Sequence, residues 1–419
     1  MNIKSTDIEI MSPAGNFEAL HAAIQGGANS VYFGVGELNM RSHSANNFSA
    51  GDLPEIVSIC RSNNVKSYLT LNIVIYDSDL EAMRKTVEAA HEAGVSAIIA
   101  SDMAVILYAR KIGVEVHIST QLNVSNIESV RYHSQFADVI VLSRELSLVQ
   151  IKAISDAIKG EQIKGPSGKL VALELFCHGA LCMAVSGKCY LSLHEYNASA
   201  NRGSCYQLCR RGYQVTDLET GMQLEIDNKY IMSPKDLCTI EFVDKIIDAG
   251  VTVFKIEGRA RAAEYVKRVT SAYREAADAV CNGKYDSKLS GELKARVSSV
   301  FNRGFWDGYY QGAKLGEWSD VYGNKATRKK RYVGKVTNYF SNLSVAEVLI
   351  ETGELRTGEQ ILITGPSTGV IECEAQEIRV DLKVTEKAVK GEYCSIPVPA
   401  GVKLRRSDKI YIWEEAHVS

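Results

Sequence analysis

One pattern limits what this chain can fold into: a short apolar, β-rich run followed by an amphipathic stretch, repeated through most of its length. IEIMSP leads into NFEALHAAIQGGA, SVYFGV into LPEIVSICRSNN, and KSYLTLNIVI into DLEAMRKTVEAAHEAG. SAIIASD, EVHISTQ and VIVLS behave alike, VALELF follows, and VTVFKIEG precedes AAEYVKRVTSAYREAADAV. Most helical runs stop at Gly or Asn, where a left-handed cap is easiest. Strands alternating with helices imply a parallel sheet, and eight such units predict an α/β fold, a (β/α)8 TIM-like barrel. An open doubly wound sheet is the alternative, because periodicity does not reveal closure.

In such a barrel, chemistry collects at the carboxyl ends of the strands. The polar residues there are Asn72, Asp102, Thr120, Gln121, Asn123, Glu174, Lys255, Glu257 and Arg259. Alternation puts Lys255, Glu257 and Arg259 on one face of their strand. Buried charges need partners, so these three form either a structural ion-pair network or a substrate site.

The barrel is expected to occupy residues 1–325, with an insertion at about 177–240 between VALELF and VTVFKIEG. Roughly seventy residues there exceed ordinary connections, and a long excursion at the catalytic mouth points to function. Residues 326–419 read differently, as short alternating strands with turn signals, which predicts a small all-β barrel. That region opens with Arg328, Lys329, Lys330 and Arg331, either a solvated linker or a contact for a phosphate backbone. Gly365-Pro366-Ser367-Thr368-Gly369 spells a nucleophile-elbow motif, but with no helix after it, it reads as a hairpin turn.

Five of the ten cysteines fall between Glu174 and Cys209: Cys177, Cys182, Cys189, Cys205 and Cys209. Cys238 follows. The opening MNIKSTDIEIMSPAG lacks the apolar core of a secretory signal, and no run approaches a membrane span. A cytoplasmic location is expected, where crowded thiols serve metals or catalysis more often than disulfides. The net charge of −2 gives no general attraction to nucleic acid. None of the spacings is a zinc knuckle, and thiolates drawn from an irregular insertion suit an iron–sulfur cluster. Buried inert thiols are the plain alternative, although Lys188, His194, Asn201 and Arg202 surround these cysteines. Spacing alone does not select four ligands.

The run from Glu174 to Ser192, ELFCHGALCMAVSGKCYLS, resembles the signature of the peptidase U32 family. Ser119-Thr120-Gln121-Leu122-Asn123, Lys255-Ile256-Glu257-Gly258-Arg259 and Phe301-Asn302-Arg303-Gly304-Phe305 extend the likeness. The C-terminal region looks like the small barrel of translation elongation factors. The resemblance carries two implications. Some members are described as collagenases or other proteases. Others are oxygen-independent hydroxylases bearing a [4Fe–4S] cluster, among them proteins that make 5-hydroxyuridine at the tRNA wobble position with prephenate as implied oxygen source. On that pattern the ligands fall on Cys182, Cys189, Cys205 and Cys238, with Cys209 as substitute. The chain length with one appended β region fits the tRNA-modifying branch. Lys255, Glu257 and His178 are then the expected catalytic groups. Arg259, Gln121, Asn123 and Glu174 would bind substrate, Arg259 gripping a carboxylate in bidentate fashion. Expected partners are tRNA, through the C-terminal β region and its basic start, a small anion such as prephenate, and a second U32 subunit. The rival readings are a collagenase-like protease and a non-enzymatic RNA-binding module.

Overall fold

The computed structural model describes residues 4–43, 47–216, 218–221, 223–224, 232–313, 316–320 and 323–416. Eight parallel strands form its centre: β1 (Glu9–Pro13), β2 (Ser30–Gly34), β3 (Lys66–Leu71), β4 (Ala97–Ala100), β5 (Val116–Ile118), β6 (Val139–Val141), β7 (Ala172–Gly179) and β8 (Val253–Ile256). Each pairs in parallel with the next, except that the short strand Asp236–Cys238 intervenes in sequence between β7 and β8. β8 pairs with both β7 and β1, which closes the sheet on itself. The barrel is closed, as eight strand–helix units predict.

Period-two alternation divides each strand between two cores. Met11, Tyr32, Tyr68, Ile99, Val139 and Val253 fill the barrel interior. Ile10, Val31, Phe33, Leu69, Ile98, Ile140 and Phe254 face outward into the larger core beneath the helices. The helices start where their caps dictate: Asn16 accepts from Ala19 N at 2.8 Å to open α1 (Phe17–Gln25), and Asp102 accepts from Ala104 N at 2.9 Å beyond β4. The longest helix, Ala263–Cys281, follows β8 and buries Tyr265, Val266, Val269, Ala272, Tyr273 and Ala276 on one stripe. Among the described residues, no helix is long and apolar enough to cross a membrane.

The C-terminal region is all β. One antiparallel sheet of eight strands runs from Arg328–Phe340 to Lys409–Glu415, around a core that includes Val333, Val348, Ile361, Ile378 and Ile410. It docks on the barrel. Gln25 of α1 donates to Thr368 O at 2.8 Å and accepts from Val370 N at 2.9 Å, while Lys267 donates to Val370 O at 2.7 Å. Arg268 pairs with Glu372, and its guanidinium lies 5.3 Å from the Trp413 ring.

The basic start of this region is strand, and its charges have partners inside the chain. Arg331 lies 2.5 Å and Lys329 3.4 Å from Glu414, Lys330 lies 2.8 Å from Glu264, and Arg328 sits 4.7 Å over Trp413. The reading of these four residues as a solvated linker is therefore corrected to the start of a strand, Arg328–Phe340. These cations are taken up by carboxylates and a ring far away in sequence, and Lys330, through Glu264, helps to fasten the two regions together.

Candidate functional site

The site begins with a flaw in β7. Glu174 and Phe176 alternate onto the barrel interior, but the register then skips Cys177: Phe176 pairs with Lys255 and His178 with Ile256. Such a bulge reverses which residues face inward. His178 consequently turns outward and packs among Tyr265, Tyr273 and Phe305 at 6.0, 5.6 and 5.4 Å between ring centres. It is 1 % exposed, and burial, aided by Arg261, pushes its pKa down to about 3. The expectation that His178 transfers protons is corrected: it is a neutral core residue outside the cavity. Gly179 ends the strand at φ 104°, where a Cβ would meet Glu257 O at 2.4 Å. Only glycine fits that turn.

Above the interior layer, the strand ends enclose a cavity of about 150 Å³. Lys255, Glu257 and Arg259 all line it together, Lys255 from the strand and Glu257 and Arg259 from the turn after its end at Ile256, so the turn and not strand alternation brings the last two in. Lys255 Nζ lies 2.7 Å from Glu174 Oε1 and within 4.8 and 5.4 Å of the Tyr32 and Phe176 ring centres. Glu174 itself is fully buried below the cavity and does not line it. Its role is to hold Lys255, which corrects its assignment as a substrate ligand.

Glu257 receives Arg41 Nη2 at 2.7 Å and Tyr32 OH at 3.3 Å. Burial raises its carboxyl pKa, yet Arg41 and Arg259 outweigh that and hold it below the usual carboxylate range. Arg259 Nη1 donates to Asn39 Oδ1 at 2.9 Å and Thr70 Oγ1 at 3.0 Å, and burial lowers its pKa to about 10. Gly34 makes room for it, since a Cβ there would lie 2.5 Å from Arg259 Nη1. Gln121 also lines the cavity and bonds Ser119 and Asn72. Asn123 does not. In the left-handed region at φ 51°, it donates to Gln121 O and Ser186 O, both at 2.9 Å, and so ties β5 to the insertion. Its assignment to substrate binding is corrected to a structural brace.

The insertion supplies the opposite chemistry. Cys182, Cys189, Cys205 and Cys209 line the same cavity. The Cys209 thiol is pushed up by burial, opposed by Arg210, and raised further by Cys182, Cys205 and Cys189, so the four share one field. Burial would also raise Cys182, but Arg144 and Arg41, with help from Arg210, hold it below the usual thiol value. The residue is nonetheless exposed and lines the cavity. Cys238 is elsewhere. It sits on the short strand Asp236–Cys238, antiparallel to β7 and opposite His178, in the core and with its pKa pushed up by burial to about 11. The expected set of Cys182, Cys189, Cys205 and Cys238 thus loses its last member, and Cys209 stands with the other three. Cys177 is likewise buried, its sulfur 3.3 Å from Lys255 O.

Among the described residues, no three His, Cys, Asp or Glu side chains come close enough to grip a single metal ion. One ion with thiolates at about 2.3 Å needs a tighter knot. A polynuclear cluster spreads four thiolates around several irons, and four cysteines on one cavity wall are its donor chemistry.

Sequence reasoning missed Arg41, Arg144 and Tyr32, all of which line the cavity. Arg144 follows the end of β6, where the barrel rule would have found it; it donates to Ser186 Oγ at 2.8 Å. Arg41 lies in an irregular connection after β2 and gives no local signal.

Against known proteins, the model of peptidase family U32 matches residues 15–320. A Porphyromonas gingivalis protein named "Collagenase" is 58% identical over 99% of both chains. Bacillus subtilis "tRNA hydroxylation protein P1" is 32% identical over 85% of this chain and 83% of its own. The Escherichia coli "23S rRNA 5-hydroxycytidine C2501 synthase" is 34% identical over 76% of this chain and 47% of its own.

Proposed function

The chain belongs to peptidase family U32, and from that premise we propose that it is an enzyme of oxygen-independent RNA hydroxylation, forming 5-hydroxyuridine at the tRNA wobble position. The observation that carries the reading is one cavity that joins four cysteines to Lys255, Glu257 and Arg259. Support comes also from the relatives named for tRNA and rRNA hydroxylation, of which the tRNA protein is matched over most of its length.

Cys182, Cys189, Cys205 and Cys209 would hold a [4Fe–4S] cluster, which supplies one-electron redox chemistry when bound. The chain's own groups do the rest. Arg41, Arg144 and Arg259 make the cavity attractive to an anion, and a small dicarboxylate such as prephenate is the oxygen source in this reading. Lys255, fixed from below by Glu174, presents an ammonium to that ligand or to the base. Glu257, kept ionised by its arginines, orients Arg41 and accepts from Tyr32.

A peptidase, as the Porphyromonas gingivalis name implies for that protein, needs an activated nucleophile or a bound water made acidic. No histidine is among the described residues that line this cavity, and His178 is packed away from it.

The test is anaerobic purification with iron and sulfide assays, followed by nucleoside analysis of tRNA from a deletion strain complemented with each variant. Wild type should carry about four of each per chain. Alanine at Cys182, Cys189, Cys205 or Cys209 should abolish both the cluster and 5-hydroxyuridine. Unmodified tRNA from the wild-type complement, or gelatin cleavage that survives all four substitutions, would overturn the reading.

A further inference from the structure

Beyond the cavity, the insertion exposes aromatic rings that a folded chain ordinarily hides. Tyr190 is 69% exposed, Tyr206 57% and Tyr196 44%. Tyr196 and Tyr206 already form a pair, 5.0 Å between ring centres, and Arg211 Nη2 donates to Tyr196 OH at 3.0 Å. Next to this pair lies a depression whose described lining includes Tyr206, Arg210, Arg211 and Arg303 and no carboxylate. Arg303 has Asp236 at 3.3 Å and Arg211 feels Glu195, so among the described residues three guanidinium groups stand against two carboxylates.

The depression is connected to the cavity. Gln207, Arg210 and Arg303 line both it and a second recess, and that recess shares Arg41, Cys182, Cys205, Cys209 and Glu257 with the cavity itself. The three hollows therefore lie side by side with shared walls, in a row that leads from the exposed tyrosines, past arginines, to the cysteines and Glu257. Exposed rings beside a hollow with more guanidinium groups than carboxylates are the two halves of a nucleotide site: a π-face for a base and a cationic hollow for its phosphate.

We propose that Tyr196 and Tyr206, with Arg210, Arg211 and Arg303, bind an unpaired stretch of nucleic acid and feed the adjoining nucleotide along this row of hollows to the cavity. The inference rests on RNA being the substrate. It adds that the RNA enters single-stranded, since a base held in a duplex has no free face for stacking.

The experiment is fluorescence anisotropy with anaerobically purified holoprotein, a short labelled single-stranded RNA and the duplex of the same sequence, with iron and sulfide measured on every sample. Single-stranded RNA should bind about tenfold more tightly than duplex. Tyr206→Ala and Tyr196→Ala should each weaken it by about fivefold or more, and Tyr206→Trp should restore it. Arg211→Gln should lower the slope of log affinity against log salt by about one. Equal binding of duplex, tyrosine variants that bind RNA like wild type, or tyrosine-dependent binding of gelatin in place of RNA would overturn the proposal. The two readings fail separately. Tyrosine-dependent RNA binding by protein without iron sustains the path and removes the cluster, whereas iron-loaded protein whose tyrosine variants bind RNA normally does the reverse.

Discussion

Lys255 Nζ and Glu174 Oε1 meet at 2.7 Å where the barrel interior becomes the cavity, the carboxylate fully buried and the ammonium at the wall. The other carboxylate oxygen, Oε2, has no hydrogen-bond partner. A second partner would have satisfied it, so the pair is not arranged for maximal stability. It holds an ammonium in a place that rings and carboxylate together define. Removing one partner of a buried pair leaves a charge uncompensated, which commonly costs about 3 kcal/mol or more. Glu174→Ala should therefore lower urea stability by about that amount and abolish modification. The double variant Glu174→Gln with Lys255→Met should regain much of the stability and none of the activity. Recovered activity in the double variant would show that the pair serves only the fold.

The cysteines separate into two classes by location. Cys209→Ala should remove iron and sulfide while leaving the unfolding midpoint of metal-free protein unchanged. Cys238→Ala should keep the iron and lose about 1 kcal/mol of stability, because it opens a small void in the core. The opposite pattern would restore Cys238 to the ligand set.

His178 gives a pH signature. Its folded pKa is lowered to about 3, against about 6.5 in an unfolded chain. The unfolded state thus binds an extra proton throughout that interval. The contribution to stability is fully present above pH 6.5 and is lost as pH falls towards 3, by up to about 1.4 kcal/mol per unit. Urea unfolding at several pH values between 7 and 5 should show a shallower slope for His178→Leu than for wild type. Identical slopes would mean that His178 titrates in the fold as it does in the unfolded chain.

The join between the two regions combines polar contacts with an apolar seam. Arg268 bridges Glu372 and Trp413, and Gln25 makes paired hydrogen bonds to the strand backbone. Combining Gln25→Ala with Arg268→Ala should loosen that join by about 1 kcal/mol or more, so that trypsin cuts near Lys325 and Arg328 about fivefold faster. Iron content should be unaffected. An unchanged cleavage rate would place the strength of the join in the apolar contacts of Leu362 and Val370 instead.

Periodicity carried the barrel, because it follows from backbone geometry that local sequence controls; Glu257 and Arg259 join Lys255 at the cavity through the turn beyond Ile256, which periodicity does not describe. Legibility ended where a single residue changes the count. The bulge at Cys177 adds one position to β7, which is enough to send His178 outward, and nothing in FCHGAL announces it. Cys209 and Cys238 look equivalent as letters; their difference lies in the strand pairing of Asp236–Cys238 with β7, a contact made across the insertion. Arg328, Lys329, Lys330 and Arg331 looked free because Glu264, Trp413 and Glu414, which engage them, are distant in sequence.

That same pairing of Asp236–Cys238 with the end of β7 has an evolutionary consequence. Leu237 lies opposite Gly179 and Cys238 opposite His178, so the excursion departs and returns at neighbouring points, about 5 Å apart as in any antiparallel pair. What lies between them can lengthen at little entropic penalty, because loop closure depends only weakly on length. The barrel is thus a socket and the stretch from Ala180 to Lys235 an exchangeable cap. Descendants of one scaffold can trade caps, and with them thiol arrangement and entrance path, while the Lys255–Glu174 foundation stays in place.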